Sequence, residues 1–139
     1  MKSKVTTLAN KLVAQGWSRS MAMVKAWQII KAGQFESKVS GISLPNRQRA
    51  TEHLTRYAPD SIRISLQRDN GNQYDVNAIA VLASVNGSRA YQMGFLPRGL
   101  AQYVAPLIDA GKAVTATFKE IRGKYAEWHN YGLAVSVSI

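Results

Sequence analysis

The sequence has no cysteine and only two histidines, His53 and His129. The first absence excludes a disulfide scaffold, a thiolate zinc site, an iron–sulfur cluster and a cysteine nucleophile. The second leaves little for an imidazole-based metal site. Long apolar runs are missing too, and nothing approaches the ~20 residues that span a bilayer. Lys2 and Lys4 open the chain, but Asn10, Lys11 and Gln15 break up the apolar residues after them, so no signal-peptide core is expected. Acids are scarce: eight Asp+Glu stand against 18 Lys+Arg, for a formal net charge of +10 over 139 residues. Hydrophobic residues make up 46%, enough for a packed core and against wholesale disorder. The expectation is a soluble, cytoplasmic, basic chain with no cofactor and no membrane association. Its natural partner is a polyanion, and nucleic acid is the commonest one.

The charge is unevenly spread. Residues 1–38 carry +6, with Glu36 as their one acid, and residues 39–139 carry +4. A basic N-terminal segment beside a milder body is common in nucleic-acid binders, and it is also how a helix surface stays solvated. The segment reads as two helices. Leu8, Leu12 and Val13 fall near one face of the first, which Gln15-Gly16-Trp17 breaks. Ser18 or Ser20 can cap the second by accepting from its free amides. Met23, Val24, Trp27 and Ile30 recur along it at helical spacing, and Gly33 stops it. Two short helices joined at Gly16 are compatible with a helix-turn-helix. A helical arm packed on its neighbour is the favoured reading, with Trp27 packed.

From Glu36 onward the grammar changes. Lys38 to Leu44 alternates as a strand that Pro45 closes. Asn46 can cap a helix through Arg47, Arg49, Ala50, Leu54 and Tyr57, ended by Pro59-Asp60. Ser61 to Gln67 is a cleaner strand, with Ile62, Ile64 and Leu66 on one face. Asp69-Asn70-Gly71-Asn72 is strong turn chemistry. Ala78–Leu82 and Tyr91–Leu96 flank a hairpin signal at Asn86-Gly87-Ser88. Pro97 opens a helix that stops at Gly111, and Val114–Ile121 and Tyr131–Ile139 are two further strands. About six short strands and two helices make a body that is mainly β with α. They predict a small closed or nearly closed antiparallel barrel over residues 36–139, preceded by a basic helical segment over 1–35.

Four stretches, in order, resemble a HIRAN domain. They are Val39-Ser40-Gly41-Ile42-Ser43-Leu44-Pro45-Asn46-Arg47-Gln48; Leu66-Gln67-Arg68-Asp69 with Tyr74-Asp75-Val76-Asn77-Ala78-Ile79-Ala80-Val81; Met93-Gly94-Phe95-Leu96-Pro97-Arg98-Gly99-Leu100-Ala101; and Tyr131-Gly132-Leu133-Ala134-Val135-Ser136-Val137. The first forty residues lie outside the resemblance but are similar to leaders on stand-alone HIRAN proteins of bacteria and their phages. The resemblance implies an OB-like barrel that binds single-stranded DNA and, in eukaryotic fork-remodelling helicases, captures a free 3′ end during repair of stalled forks. It departs from those members after Gly41. They carry an arginine and two tyrosines there, and this chain has Ile42-Ser43-Leu44-Pro45.

The residues at stake can be weighed chemically. Asp75 is the matching family aspartate. An ionised carboxylate accepts only, and a terminal 3′-OH donates, so Asp75 can favour a free 3′-OH and repel a 3′-phosphate. It can equally serve its own turn by accepting from nearby amides. Tyr74 can stack on a terminal base or cover the barrel rim. Phe95 matches a position near DNA in the resembling domains. Arg47, Arg49, Arg68 and Arg98 are candidate phosphate contacts, Arg98 at a helix N-terminus. Trp128, His129 and Tyr131 offer a second aromatic platform. Two other functions stay open. A protein adaptor would use the helices around Trp17 and Trp27 to recruit a helicase or nuclease. A small metal-dependent nuclease would gather Asp69, Asp75 and Glu120 or Glu127 around Mg²⁺. No Walker-type loop is present, so no motor is expected.

Overall fold

Val5, Leu8, Ala9 and Leu12 recur at three- and four-residue spacing, and that stripe is the buried face of the first helix, α1 (Lys2–Ala14). The computed structural model describes residues 2–123 and 130–139. The second helix, α2 (Arg19–Ala32), starts at Ser18, whose Oγ accepts the Met21 amide at 3.3 Å, and ends at Gly33 with φ of 65°. Its buried residues are Ala22, Ala26 and Ile29, not the Met23–Trp27 stripe expected from spacing. Small side chains let α1 and α2 approach closely, so the bulky ones turn outward. Met21, Val24 and Trp27 are exposed, and Met23 and Ile30 pack at the rim. α1 also contacts α4 (Arg98–Asp109), and the buried residues of the helix pair share one apolar cluster with the strands.

Six strands are present: β1 (Gln34–Lys38), upstream of the expected first strand, and then five in the predicted order, β2 (Ile62–Arg68), β3 (Ile79–Val85), β4 (Tyr91–Phe95), β5 (Thr115–Gly123) and β6 (Tyr131–Ser138). Among the described residues they form two three-stranded antiparallel sheets, ordered β1-β6-β5 and β2-β3-β4. The expected OB-like barrel is therefore not closed. β2 and β5 pack together without a ladder, and one isolated bridge, Ser40 with Phe95, joins the sheets on the other side.

The reason lies in the opening segment. The strand expected over Lys38–Leu44 does not form: β1 lies upstream and stops at Lys38, and at Gly41 the backbone takes a left-handed φ of 74° that turns the chain away. The chain turns away after a single bridge where a full strand would have sealed the seam. Pro45 then opens a helix instead of closing a strand: α3 (Pro45–Leu54) has Leu44 as its N-cap and proline in its first turn, with Asn46 already inside. A short 3₁₀ turn, Pro59–Ser61, leads into β2.

Two bulges shape the sheets. Val81 pairs with Gly94 and Leu82 with Gln92, so Met93 is the extra residue in β4. Phe118 pairs with Val135 and Glu120 with Ala134, which makes Lys119 the extra residue in β5. At the β4 bulge the opening segment lies directly on the strand. A Cβ on Gly94 would stand 2.2 Å from the Ser40 carbonyl oxygen, so only glycine permits the Ser40–Phe95 bridge.

Candidate nucleic-acid interface

The segment between β2 and β3 carries the most specific sequence signal, and its backbone is held from several directions. Asn72 Oδ1 accepts the amides of Tyr74 and Asp75 at 2.8 and 2.9 Å, while its Nδ2 donates to Asp69 Oδ2 at 3.2 Å. Asp75 Oδ1 in turn accepts the Asn77 amide at 2.9 Å. These are the Asx turns that Asp and Asn favour in loops. Arg68 closes the loop from below. Its guanidinium donates to the carbonyls of Ala78 and Val76 at 2.7 and 3.0 Å and to both carboxylate oxygens of Asp109 at 3.0 and 3.3 Å. Four of five N–H groups are thereby committed within the protein, and the side chain is only 12% exposed. Arg68, a candidate phosphate contact by sequence, is placed as the loop's buttress.

On this fixed loop Tyr74 is held out into solvent, 85% exposed, with Val76 exposed beside it. Arg98, the first residue of α4, reaches across. Its Nη2 donates to the Tyr74 carbonyl at 2.5 Å, and its Nε lies 3.8 Å from Asp75 Oδ2. Of the two roles weighed from sequence, the geometry shows the turn: Asp75 Oδ1 accepts the Asn77 amide, and Oδ2 faces the half-exposed Arg98 guanidinium. The first turn of α4 has no side-chain cap, which leaves its amides to anions or water.

Phe95 ends β4 at the same end of the sheet, since Leu96 donates to Ile79 where β3 begins. The Arg47 guanidinium lies 5.6 Å from the Phe95 ring centroid and donates to the Gly41 carbonyl at 2.8 Å. A positive charge therefore does stand at the opening loop, supplied from α3, where the resembling eukaryotic members carry it after the glycine. Arg49 is not part of this group. Residues two apart on a helix point to different sides, and Arg49 lines a cleft against the β3–β4 hairpin. Tyr74, Asp75, Arg98, Arg47 and Phe95 are brought to one sheet end; Arg49 is not, and Arg68 lies beneath.

Gln48 is a residue to which the sequence alone assigns no role. Its Nε2 donates to the carbonyls of Ile42 and Tyr131 at 2.8 and 3.0 Å, and its Oε1 accepts the Tyr131 amide at 2.7 Å. One amide side chain thus pairs with the start of β6 as a neighbouring strand would, tying it to the opening loop. Trp128 and His129 lie outside the described residues. Of the possible metal ligands, Asp69 is bonded to Asn72, Glu120 pairs with Arg122, and Glu127 is outside the described residues. Among the described residues, no three His, Asp or Glu side chains gather where a metal ion could be held, and no helix is long and apolar enough to cross a membrane. On the far side, Lys25 donates to the Glu36 carbonyl at 2.5 Å and lies 5.4 Å from the Phe35 ring centroid. Burial lowers its pKa, and the Glu36 carboxylate opposes that shift.

An exposed aromatic on a pinned loop, with the Arg98 guanidinium beside it in a cationic chain, offers the stacking face and positive charge that nucleic acids pair with. The sequence comparison narrows the class. Residues 32–139 match the HIRAN domain, and the chain belongs to that family, one of DNA-binding domains that are generally binding modules. A crystal structure of a protein from Lactobacillus plantarum is similar over 77% of this chain and 100% of its own, at 23% identity and a TM-score of 0.47. No curated protein matches the chain.

Proposed function

We propose that this chain binds single-stranded DNA at a free 3′ end. The observation that carries the reading is Tyr74, a large aromatic 85% exposed on a loop whose backbone is immobilised by Asn72, Arg68 and Arg98. Exposing an aromatic ring costs solvation, and fixing the loop beneath it removes the entropy that stacking would otherwise lose. The terminal base stacks on Tyr74. Arg98 and Arg47 take the backbone phosphates, with Phe95 as the apolar contact between them. Asp75 Oδ2 accepts the terminal 3′-OH and repels a 3′-phosphate. Arg98 beside it, with Nε 3.8 Å from Oδ2, holds the carboxylate in place.

The test is a binding comparison among single-stranded DNA, duplex DNA and RNA at one salt concentration. Single-stranded DNA should bind tightest, with log Kobs falling against log salt by about 0.7 per phosphate neutralised. Duplex binding as tight as single-strand binding would overturn the reading. A capacity to hold 3′ ends suits repair or replication-fork processing, and in that setting the chain would guard an end or deliver it to an enzyme.

A second, compatible reading rests on α2. Met21, Val24 and Trp27 are exposed on one helix, at 63%, 59% and 39%, an unusual concentration of apolar surface. Recruitment of a helicase or nuclease through this face would make the chain an adaptor. Replacing the three by Ser, Thr and Gln should abolish partner capture and leave DNA affinity intact. Deleting the helices is no substitute, because their buried side chains belong to the common core.

A further inference from the structure

At the far end of the β2-β3-β4 sheet from Tyr74, α3 and the β3–β4 hairpin enclose a cleft of about 690 Å³. That is within the range of about 300–1,000 Å³ found for sites that hold small organic groups. Leu54 and Met93, both buried, are among its apolar lining. Arg49 enters from the helix and Arg89 from the hairpin, and no acidic residue lines the cleft. Both arginines are exposed, and among the described residues neither guanidinium has a hydrogen-bond or ion-pair partner. Tyr91 stands half exposed at the mouth. Tyr57 forms another part of the wall, its ring fixed edge-on to His53 at 5.1 Å between centroids and its hydroxyl 3.3 Å from His53 Nε2.

Two unpaired cations facing one cleft repel each other, and an anion between them turns repulsion into attraction. Aromatic walls over an apolar floor add a place for a flat heterocycle. The combination fits a nucleotide: a phosphate for Arg49 and Arg89, a base for Tyr91. The cleft shares two elements with the site at the other end. α3 and β4 run alongside both, with Arg47 and Phe95 at one end and Arg49 and Tyr91 towards the other. At roughly 3.3 Å per strand residue, Phe95 and Tyr91 are about 13 Å apart along β4. Their pairing with Ala80 and Ala83 turns them to opposite faces, and a DNA strand that reaches both from Tyr74 passes over this edge strand.

We infer that the α3–hairpin cleft is a second subsite for the same DNA strand, holding a nucleotide on the 5′ side of the captured end. The inference rests on the end-binding reading, so its test separates the two. A labelled trinucleotide fills only the Tyr74 end, and a decanucleotide of the same 3′ sequence can reach the cleft. By fluorescence anisotropy at fixed salt, the decanucleotide should bind about tenfold tighter or better, the scale of one added stack or bidentate contact. The double variant Arg49→Ala, Arg89→Ala should erase that gain and reduce the decanucleotide salt slope by about 1.4, for two phosphate contacts. Tyr91→Ala should weaken the decanucleotide about fivefold or more without touching its salt slope. Trinucleotide affinity should be unchanged in both variants. A trinucleotide that binds as well as the decanucleotide, or variants that bind the decanucleotide like the parent, would remove the subsite and leave the end site standing. Failure of both oligonucleotides to bind would overturn both readings.

Discussion

At one end of the β2-β3-β4 sheet, Arg68 gives four N–H groups to Val76, Ala78 and Asp109 and is almost closed to solvent; at the other, Arg49 and Arg89 are open to solvent and have no partner among the described residues. All three are arginines in a chain of net charge +10, and in the sequence they count alike. The difference is one of context. Arg68 ends a strand beneath a turn-rich loop whose carbonyls need donors, so folding itself saturates it. Arg49 on α3 and Arg89 in the β3–β4 hairpin meet no acceptor among the described residues, so their donors remain for something else. Arg47 and Arg98 are intermediate: each gives one bond to a carbonyl, Gly41 or Tyr74, Arg47 lies by the Phe95 ring and Arg98 faces Asp75. Charge predicts that a polyanion binds; only the hydrogen-bond pattern says which charges are free to bind it.

That contrast is open to direct attack. The largest effect expected is on Arg68→Ala, which strands the Val76 and Ala78 carbonyls and should lower unfolding free energy by about 2–4 kcal/mol. Arg49→Ala should stay within about 0.5 kcal/mol of the parent. Chemical denaturation of the two variants side by side decides the matter, and equal midpoints would break the comparison. Next comes Gly94→Ala, where the new Cβ meets the Ser40 carbonyl; it should lose about 1–3 kcal/mol by the same measurement, and an unchanged midpoint would mean the bridge is not needed.

Smaller effects concern binding alone. Tyr74→Ala should weaken single-stranded DNA by about 1–3 kcal/mol with no change in denaturation midpoint, read by anisotropy and melting together. A loss of stability instead would place the ring in the fold's service. Arg98→Ala should flatten the salt slope by about 0.7, one phosphate, while leaving the Asn72-anchored turn intact.

Much of the fold was legible because local rules decided it. The order of the five strands from β2 to β6, the caps at Ser18 and Gly33 and the turn at Asp69–Asn72 follow from periodicity and turn chemistry, which act over a few residues. Barrel closure was not legible, since it depends on Gly41 taking a left-handed φ between residues that alternate like a strand. The face of α2 was misread for a related reason. Apolar spacing gives a stripe, but the partner decides whether bulk or smallness suits the contact, and α1 selects Ala22 and Ala26. At the site, Tyr74 and Asp75 stood out by their motif. Arg89 gave no signal beyond lying in a hairpin turn, and the division of labour between Arg47 and Arg49 required a helix start at Pro45.

The central claim is that Asp75 presents a carboxylate oxygen to a strand terminus. Asp75→Asn is the informative variant, because an amide oxygen can still accept the Asn77 amide and keep the turn while the charge is removed. Affinities should be measured for one single-stranded oligonucleotide ending in a 3′-OH and again in a 3′-phosphate. The account predicts that the parent prefers the hydroxyl end by about tenfold or more, the scale of a hydrogen bond to a charged group, and that Asp75→Asn abolishes most of that preference. Equal affinity of the parent for the two ends would contradict it.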